Sequence, residues 1–428
     1  MGNSVSFDLV PKDILYVIIS FLDRNKKFSL LFVSKEINAY IGGQKICFYR
    51  FHILNDSAKL GYMNLFKWYR ELNFPWNYKT CGVAAKYGHF DILKFAKENG
   101  CEWDTRTCYN AAKNGHFEIL KWARENRCEW GWGTCAEAAK NGHFEILKWA
   151  KENGADCSNA CAYAALNGHF EIIKWARESG CSWDSSTCIN AAKKGHFEIL
   201  KWAKNNGCDW NGTCETAAKN GHFEIVKWCK ENGYNWGTWT CAYAASNGHF
   251  EILKWAKENS YAWDSFTCLY AAKNGHFEIL KWARENGCEW DVDTCANAAL
   301  NGHFEILKWA RENGCKLDPK TCTYAALNNH LEILKWAREN GCTWDIKTCM
   351  AAAEGGHLEI LKWARENGCD WNYLTCEVAA SNGHFEILKW ARENGCGWGH
   401  LTDIYAAQKG YFEIAQWAKQ INKSLQQS

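Results

Sequence analysis

The sequence predicts an all-α fold, a helical solenoid of about 14 short helix-turn-helix units behind a separate N-terminal segment. Three observations carry this. Gly-His-Phe-Glu-Ile occurs nine times identically between Gly115 and Ile387, with near-copies at Gly88, Asn329, Gly356 and Gly410 and a degenerate one at Gly61. The copies recur every 27 residues, with two intervals of 26, and self-similarity at a fixed period of this length marks stacked supersecondary units. Only three Pro stand in 428 residues, 47% of which are hydrophobic, as suits short helices packed along a shared core. The expected organisation is residues 1–50 as the N-terminal segment, 51–420 as the solenoid and 421–428 as a polar tail.

One unit shows why the period is helical. Thr107 is a natural N-cap, Ala111 and Ala112 are strong helix formers, and Asn114-Gly115 supplies the left-handed turn that ends a first helix. A second helix is predicted from Phe117 to Asn126, with Phe117, Leu120 and Ala123 on one stripe and Ile119 and Trp122 beside them. Glu118 and Lys121 fall on the opposite side as a weak exposed pair. In most copies a Gly such as Gly287 closes the unit, followed by a connector such as Cys288–Asp291. Isolated helices shorter than about 12–15 residues are marginal in water, so each must bury its stripe against the next unit. The expected core is a continuous set of Trp, Ile, Leu, Ala and Cys ladders.

Fifty Lys+Arg against 48 Asp+Glu leave a net charge of +2 with no long basic block, so no nucleic-acid partner is expected. No apolar run approaches the ~18 residues of a membrane span, and residues 1–8 lack the charged-then-apolar order of a signal peptide. Twelve of the 24 Cys recur once per unit, from Cys81 to Cys376. Equivalent positions on stacked helices lie about 8–10 Å apart, beyond the roughly 7 Å limit of a disulfide. Most cysteines therefore read as small buried hydrophobes of a reducing compartment, and Cys157 with Cys161 is a lone close pair where a metal site would need two. The twelve repeat histidines, His89 to His384, read as turn residues bonded to neighbouring backbone; Cys108 and His116 are eight residues apart on different helices, a poor metal spacing. No nucleophile elbow or phosphate-binding Gly loop is present, so neither enzyme activity nor a cofactor is expected.

The stretch Ala111–Ile119 resembles the helix-turn-helix signature of ankyrin repeats, and the interval from Gly142 to Gly154 matches the ankyrin distance between the two turn glycines. The unit is shorter than the usual 33 residues, and the part missing is where the β-hairpin would sit. The Thr is one residue closer to the Ala pair, so Cys108 takes a core position usually held by Leu. The resemblance implies ankyrin-type helix pairs with the hairpin cut to a tight turn, and such Trp- and Cys-rich arrays resemble the expanded ankyrin proteins of large DNA viruses that infect amoebae. Residues 8–40 resemble an F-box, a three-helix motif that docks on the Skp-type adaptor of cullin ubiquitin ligases. Val10, Pro11, Ile14, Leu15, Ile18, Leu22, Leu30 and Leu31 match its pattern, whereas Ile37 stands where the family usually has Trp. The alternative is a helical cap for the solenoid. The start Met1-Gly2-Asn3-Ser4-Val5-Ser6 fits the N-myristoylation pattern at Gly2, the one route by which membrane contact is expected.

Copies within the chain can be compared with one another. Framework positions barely change, but the residue two after the repeat Cys and residues of the connector vary freely. In ankyrin-like folds the first helix lines the concave groove, so Tyr163, Tyr243, Tyr270, Tyr324 and Asn297, with Trp239 and Phe266, are the candidate partner-binding residues. Drift at unconstrained surface sites is the competing reading. The expected function is a monomeric, cytoplasmic protein–protein interaction scaffold. Its two versions are a substrate receptor that recruits a target to a Skp/cullin ligase, and a scaffold that masks or tethers a partner.

Overall fold

The computed structural model describes residues 53–71, 73–234 and 236–426, so the F-box-like residues from Val10 to Leu31 and the acylation candidate Gly2 lie outside the described residues. Among the described residues there are 28 helices and no strand, in the order of fourteen antiparallel pairs. A typical pair is Ser265–Lys273 followed by Phe277–Glu285. The chain falls into two compact units, one ending at Asn211 and one beginning at Gly212. Within each, first helices pack on the first helices of adjacent repeats, and each packs on the second helix of its own repeat. No helix among the described residues is long and apolar enough to cross a membrane.

The core of every repeat is made of small and aliphatic side chains. In one repeat Cys108, Ala111, Ala112, Leu120 and Ala123 are fully buried and Ile119 nearly so, and sealing a Leu-sized side chain contributes about 1.5–3 kcal/mol. The tryptophans are not in this core, contrary to expectation. Trp122 and Trp130 are half-buried and form an edge ladder on the flank of the second helices. Phe90 meets Trp122 edge-on at 5.5 Å, and Trp103 meets the same ring at 5.6 Å. Lys121 lies 4.0 Å over the Phe117 ring while pairing with Glu118 at 3.1 Å. The stripe is simply wider than the sealed seam, and its aromatic margin is worth perpendicular ring contacts of about 0.5–1.5 kcal/mol each rather than full burial.

Thr is not the cap. Asp184 accepts from the backbone N of Ser186 at 2.9 Å, and Asp264, Asp291, Asp345 and Asn372 do the same at their helices. Thr187 instead lies inside the helix, fully buried, with its hydroxyl unpartnered. The repeat histidine likewise bonds further away than expected. Nε2 of His303 donates to the Lys273 carbonyl at 3.1 Å, thirty residues upstream, and so satisfies the end of the preceding repeat's first helix. The last helix runs Phe412–Gln426. Asn422, on what was expected to be a separate tail, accepts from Trp398 Nε1 at 2.6 Å and donates to Asp403 at 2.9 Å.

Candidate protein-binding site

The exposed side of the first helices carries the variable residues. In the unit beginning at Gly212, Trp239 and Tyr243 stand one helical turn apart on Thr238–Ser246, and Phe266 and Tyr270 occupy the same places on Ser265–Lys273. Residues four apart share a helix face, so the repeat spacing brings four rings together. Trp239 and Phe266 stack at 5.0 Å with an interplanar angle of 20°. Tyr243 lies 5.9 Å from Trp239, and Tyr270 lies 6.4 Å from both Trp239 and Phe266. The plate faces solvent: Trp239 is 45% and Phe266 41% exposed. Lysines flank it, Lys219 at 5.7 Å from the Tyr243 ring and Lys273 at 6.0 Å from Tyr270.

Asn297 and Tyr324 are not part of the plate. The Phe266 column continues as Asp293 and Lys320, which form an exposed ion pair at 2.7 Å. That contact raises the pKa of the Lys320 amine, first through its hydrogen bond to Asp293. Asn297 is half-buried and turns back on its own helix, donating to the Asp293 carbonyl at 2.9 Å. Tyr324 is half-buried on the helix that carries Lys320. One face thus changes along the repeats from aromatic to charged.

Tyr163 belongs to a different place, in the unit ending at Asn211. With Thr105, Tyr109, Trp132 and Glu137 it lines an open cleft of about 340 Å³. Trp132 is 85% exposed, more than any other large apolar side chain among the described residues. At this cleft Gly131 and Gly133 stand where most repeats carry a capping Asp or Asn and the second residue of the helix. The helix therefore starts only at Thr134, without a side-chain cap. A β-carbon on Gly131 would come 2.7 Å from the Thr105 carbonyl. Glu137, which lines the cleft, pairs with Lys113 at 3.1 Å, and that bond raises the lysine's pKa. Tyr163 is legible as a variable first-helix residue, and the Gly131-Trp132-Gly133 interruption is the sequence signal for the cleft beside it.

No group of three metal-ligating side chains is present among the described residues. The chain is thus a repetitive all-helical protein with solvent-facing aromatic sites on its first helices. Ankyrin-repeat models match residues 83–124, 135–177 and 349–392, and a three-copy ankyrin model matches 214–296. Those stretches match ankyrin repeats, a repeat type that typically serves as a protein–protein interaction scaffold. Among solved structures it is similar to the human ASB11 ankyrin repeat domain, 18% identical over 37% of this chain and 85% of that one, with a TM-score of 0.32. It is also similar to the pentatricopeptide repeat protein PPR10 in complex with an 18-nt psaJ RNA element, 12% identical over 96% of this chain and 73% of that one, with a TM-score of 0.37. No curated protein matches the chain.

Proposed function

We propose that the protein holds a protein target on the first-helix face, with the stacked plate of Trp239, Phe266, Tyr243 and Tyr270 as the anchor. The observation that carries the reading is the exposure of those stacked rings beside a buried framework that barely changes between repeats. Rigid aromatic side chains are what interfaces use for most of their binding energy. Lys219 and Lys273 at the margin favour a target segment that pairs an apolar side chain with an acidic one.

In the finer version the F-box-like residues, Leu15 and Leu22 among them, recruit a Skp-type adaptor in the cytoplasm and the plate presents the target to a cullin ligase. The resemblance of residues 8–40 to an F-box supports that version. In the alternative the same plate masks or tethers its partner and the N-terminal residues cap the array. Pull-downs from eukaryotic lysate with the full-length chain separate them. Trp239→Ala with Phe266→Ala is expected to lose target proteins and to keep adaptor and cullin, whereas Leu15→Asp is expected to do the opposite. Absence of adaptor and cullin from the unsubstituted chain removes the ligase version. Retention of every partner by the plate variant removes the plate as the anchor.

A further inference from the structure

The cysteines do not stand singly. Twenty-three of them lie in the described residues, every one buried, and one disulfide joins Cys135 to Cys157 with its Cα atoms 5.0 Å apart. The remaining first-helix cysteines face a second sulfur almost without exception. Cys108 approaches the connector cysteine of its own repeat, Cys128, twenty residues on, with Sγ at 3.8 Å from its carbonyl. Cys268 with Cys288 and Cys349 with Cys369 repeat the contact at 3.9 Å. In eight first-helix and connector pairs spread over both units, and in Cys214 with Cys229, the partner thiol is the first cause that shifts a cysteine from its ordinary pKa. Cys161 and Cys181 stand in the same register, and the Cys161 thiol is pushed up first by burial and then by Cys181.

Two of the three exceptions keep the pairing although not the position. Three repeats lack the connector cysteine, carrying Ala155, Tyr234 and Tyr261 there. In the first, a cysteine appears two residues later as Cys157 and bonds to Cys135. In the second, Cys229 replaces the alanine of the second helix and hydrogen-bonds to Cys214. If the sulfurs were space-fillers, the alanine common at that helix position would have served. Cys241 alone lacks a partner sulfur among the described residues, because Tyr261 occupies its connector position.

We infer that these pairs are a redox-responsive set of modification sites, at which a low-molecular-weight disulfide such as oxidised glutathione converts two buried thiols of one repeat into a disulfide tying its first helix to its connector. The connector cysteine is the attacking group. The hydrogen bond from Cys108 holds the Cys128 thiol below its ordinary pKa, assisted by Arg124, while Cys108 is pushed up. The connector thiolate attacks one sulfur of the small disulfide, breaking its S–S bond and forming a mixed disulfide. The small thiolate that leaves takes up the proton lost by the connector thiol. The first-helix thiol then loses its proton, attacks the connector sulfur and displaces the second small thiolate, which takes up that proton. Two protein thiols are oxidised and one small disulfide is reduced to two thiols. Burial means the exchange proceeds when a connector opens locally, and connectors are the least regular parts of the repeat.

The test uses the reduced full-length chain, incubated with excess oxidised glutathione, alkylated under denaturing conditions and mapped by mass spectrometry after proteolysis without reductant. The expected result is a set of linkages within repeats, Cys268 to Cys288 and Cys322 to Cys342 among them, with Cys241 outside every within-repeat linkage. The oxidised chain is expected to melt at a higher temperature than the reduced chain, because each bridge closes a short loop. Cys288→Ala is expected to remove its own linkage, leave Cys268 alkylated and keep the others. Full alkylation of the treated chain overturns the inference, and so do linkages that join different repeats or different chains.

Discussion

Each repeat contains two glycine turns with the same backbone and different surroundings. The turn between the helices, as at Gly275, has φ +79, and the turn after the second helix, as at Gly287, has φ +83. A β-carbon at Gly275 would stand 2.7 Å from Cε1 of His303 in the next repeat, while at Gly287 it would meet nothing within 4 Å. The chain's own variation follows that difference. At the open turn Arg127, Ser260 and Asn73 replace glycine and keep positive φ. At the crowded turn the one replacement among the described residues is Asn329. Conformation alone tolerates other residues, and it is the neighbouring ring that demands glycine.

The largest effect should come from breaking the crowded turn. Gly275→Ala adds left-handed strain of about 1–3 kcal/mol and pushes His303 off the Lys273 carbonyl, a hydrogen bond worth about 0.5–1.5 kcal/mol. Urea unfolding should show a loss of roughly 2–4 kcal/mol. Repeating the substitution in a His303→Ala background should recover roughly 1 kcal/mol of that loss as coupling between the two sites. A purely conformational role for Gly275 would give the same loss in both backgrounds.

Next in size is a substitution whose sign separates packing from propensity. Asn329 occupies the crowded turn, and the following repeat carries Gly355 where its neighbours carry Asn301, Asn328 and Asn382. Gly355 ends the helix Ile346–Gly355, where alanine would ordinarily stabilise by roughly 0.5–1 kcal/mol. Here a β-carbon would come 2.3 Å from the Leu327 carbonyl and 2.6 Å from Nε2 of His357, which itself bonds that carbonyl at 3.0 Å. Gly355→Ala should therefore destabilise, by about 1–3 kcal/mol for an overpacked contact. A raised midpoint would mean that the ring relaxes freely and the crowding is not what restricts this turn.

The period, the two helices and both glycine turns were legible because each is a local signal that the chain repeats many times. What was not legible joins residues far apart in sequence or depends on how wide a buried stripe becomes. Periodicity placed Trp122 beside the core stripe but could not say that Ile119 and Leu120 seal the core while the rings stay at its edge. Thr107 and Asp104 are both capping residue types, and only backbone geometry shows that Asp104 accepts from Arg106. The histidine's partner thirty residues upstream and the cysteine pairs twenty residues apart cross from one element to another, and comparing only equivalent cysteines hid the contact that exists. At the candidate site, Trp239, Tyr243, Phe266 and Tyr270 could be placed on one face from helical spacing and period together. Asn297 and Tyr324 share the register but not the rings, because Asp293 and Lys320 replace the aromatic column between them.

The smallest effect concerns the open turn. Gly287→Ala meets no neighbour, so only the left-handed conformation opposes it. Ser260 and Arg127 already accept that conformation at φ +57 and +65 in their own repeats. The expected loss is about 1 kcal/mol, with no change when His303→Ala is added, since that ring does not face Gly287. Gly287→Asn should cost less than Gly287→Ala, because asparagine enters the left-handed region more readily than other residues. Equal losses at Gly287 and Gly275 would break the comparison, since the neighbouring ring would then contribute nothing and the two turns would differ only in name.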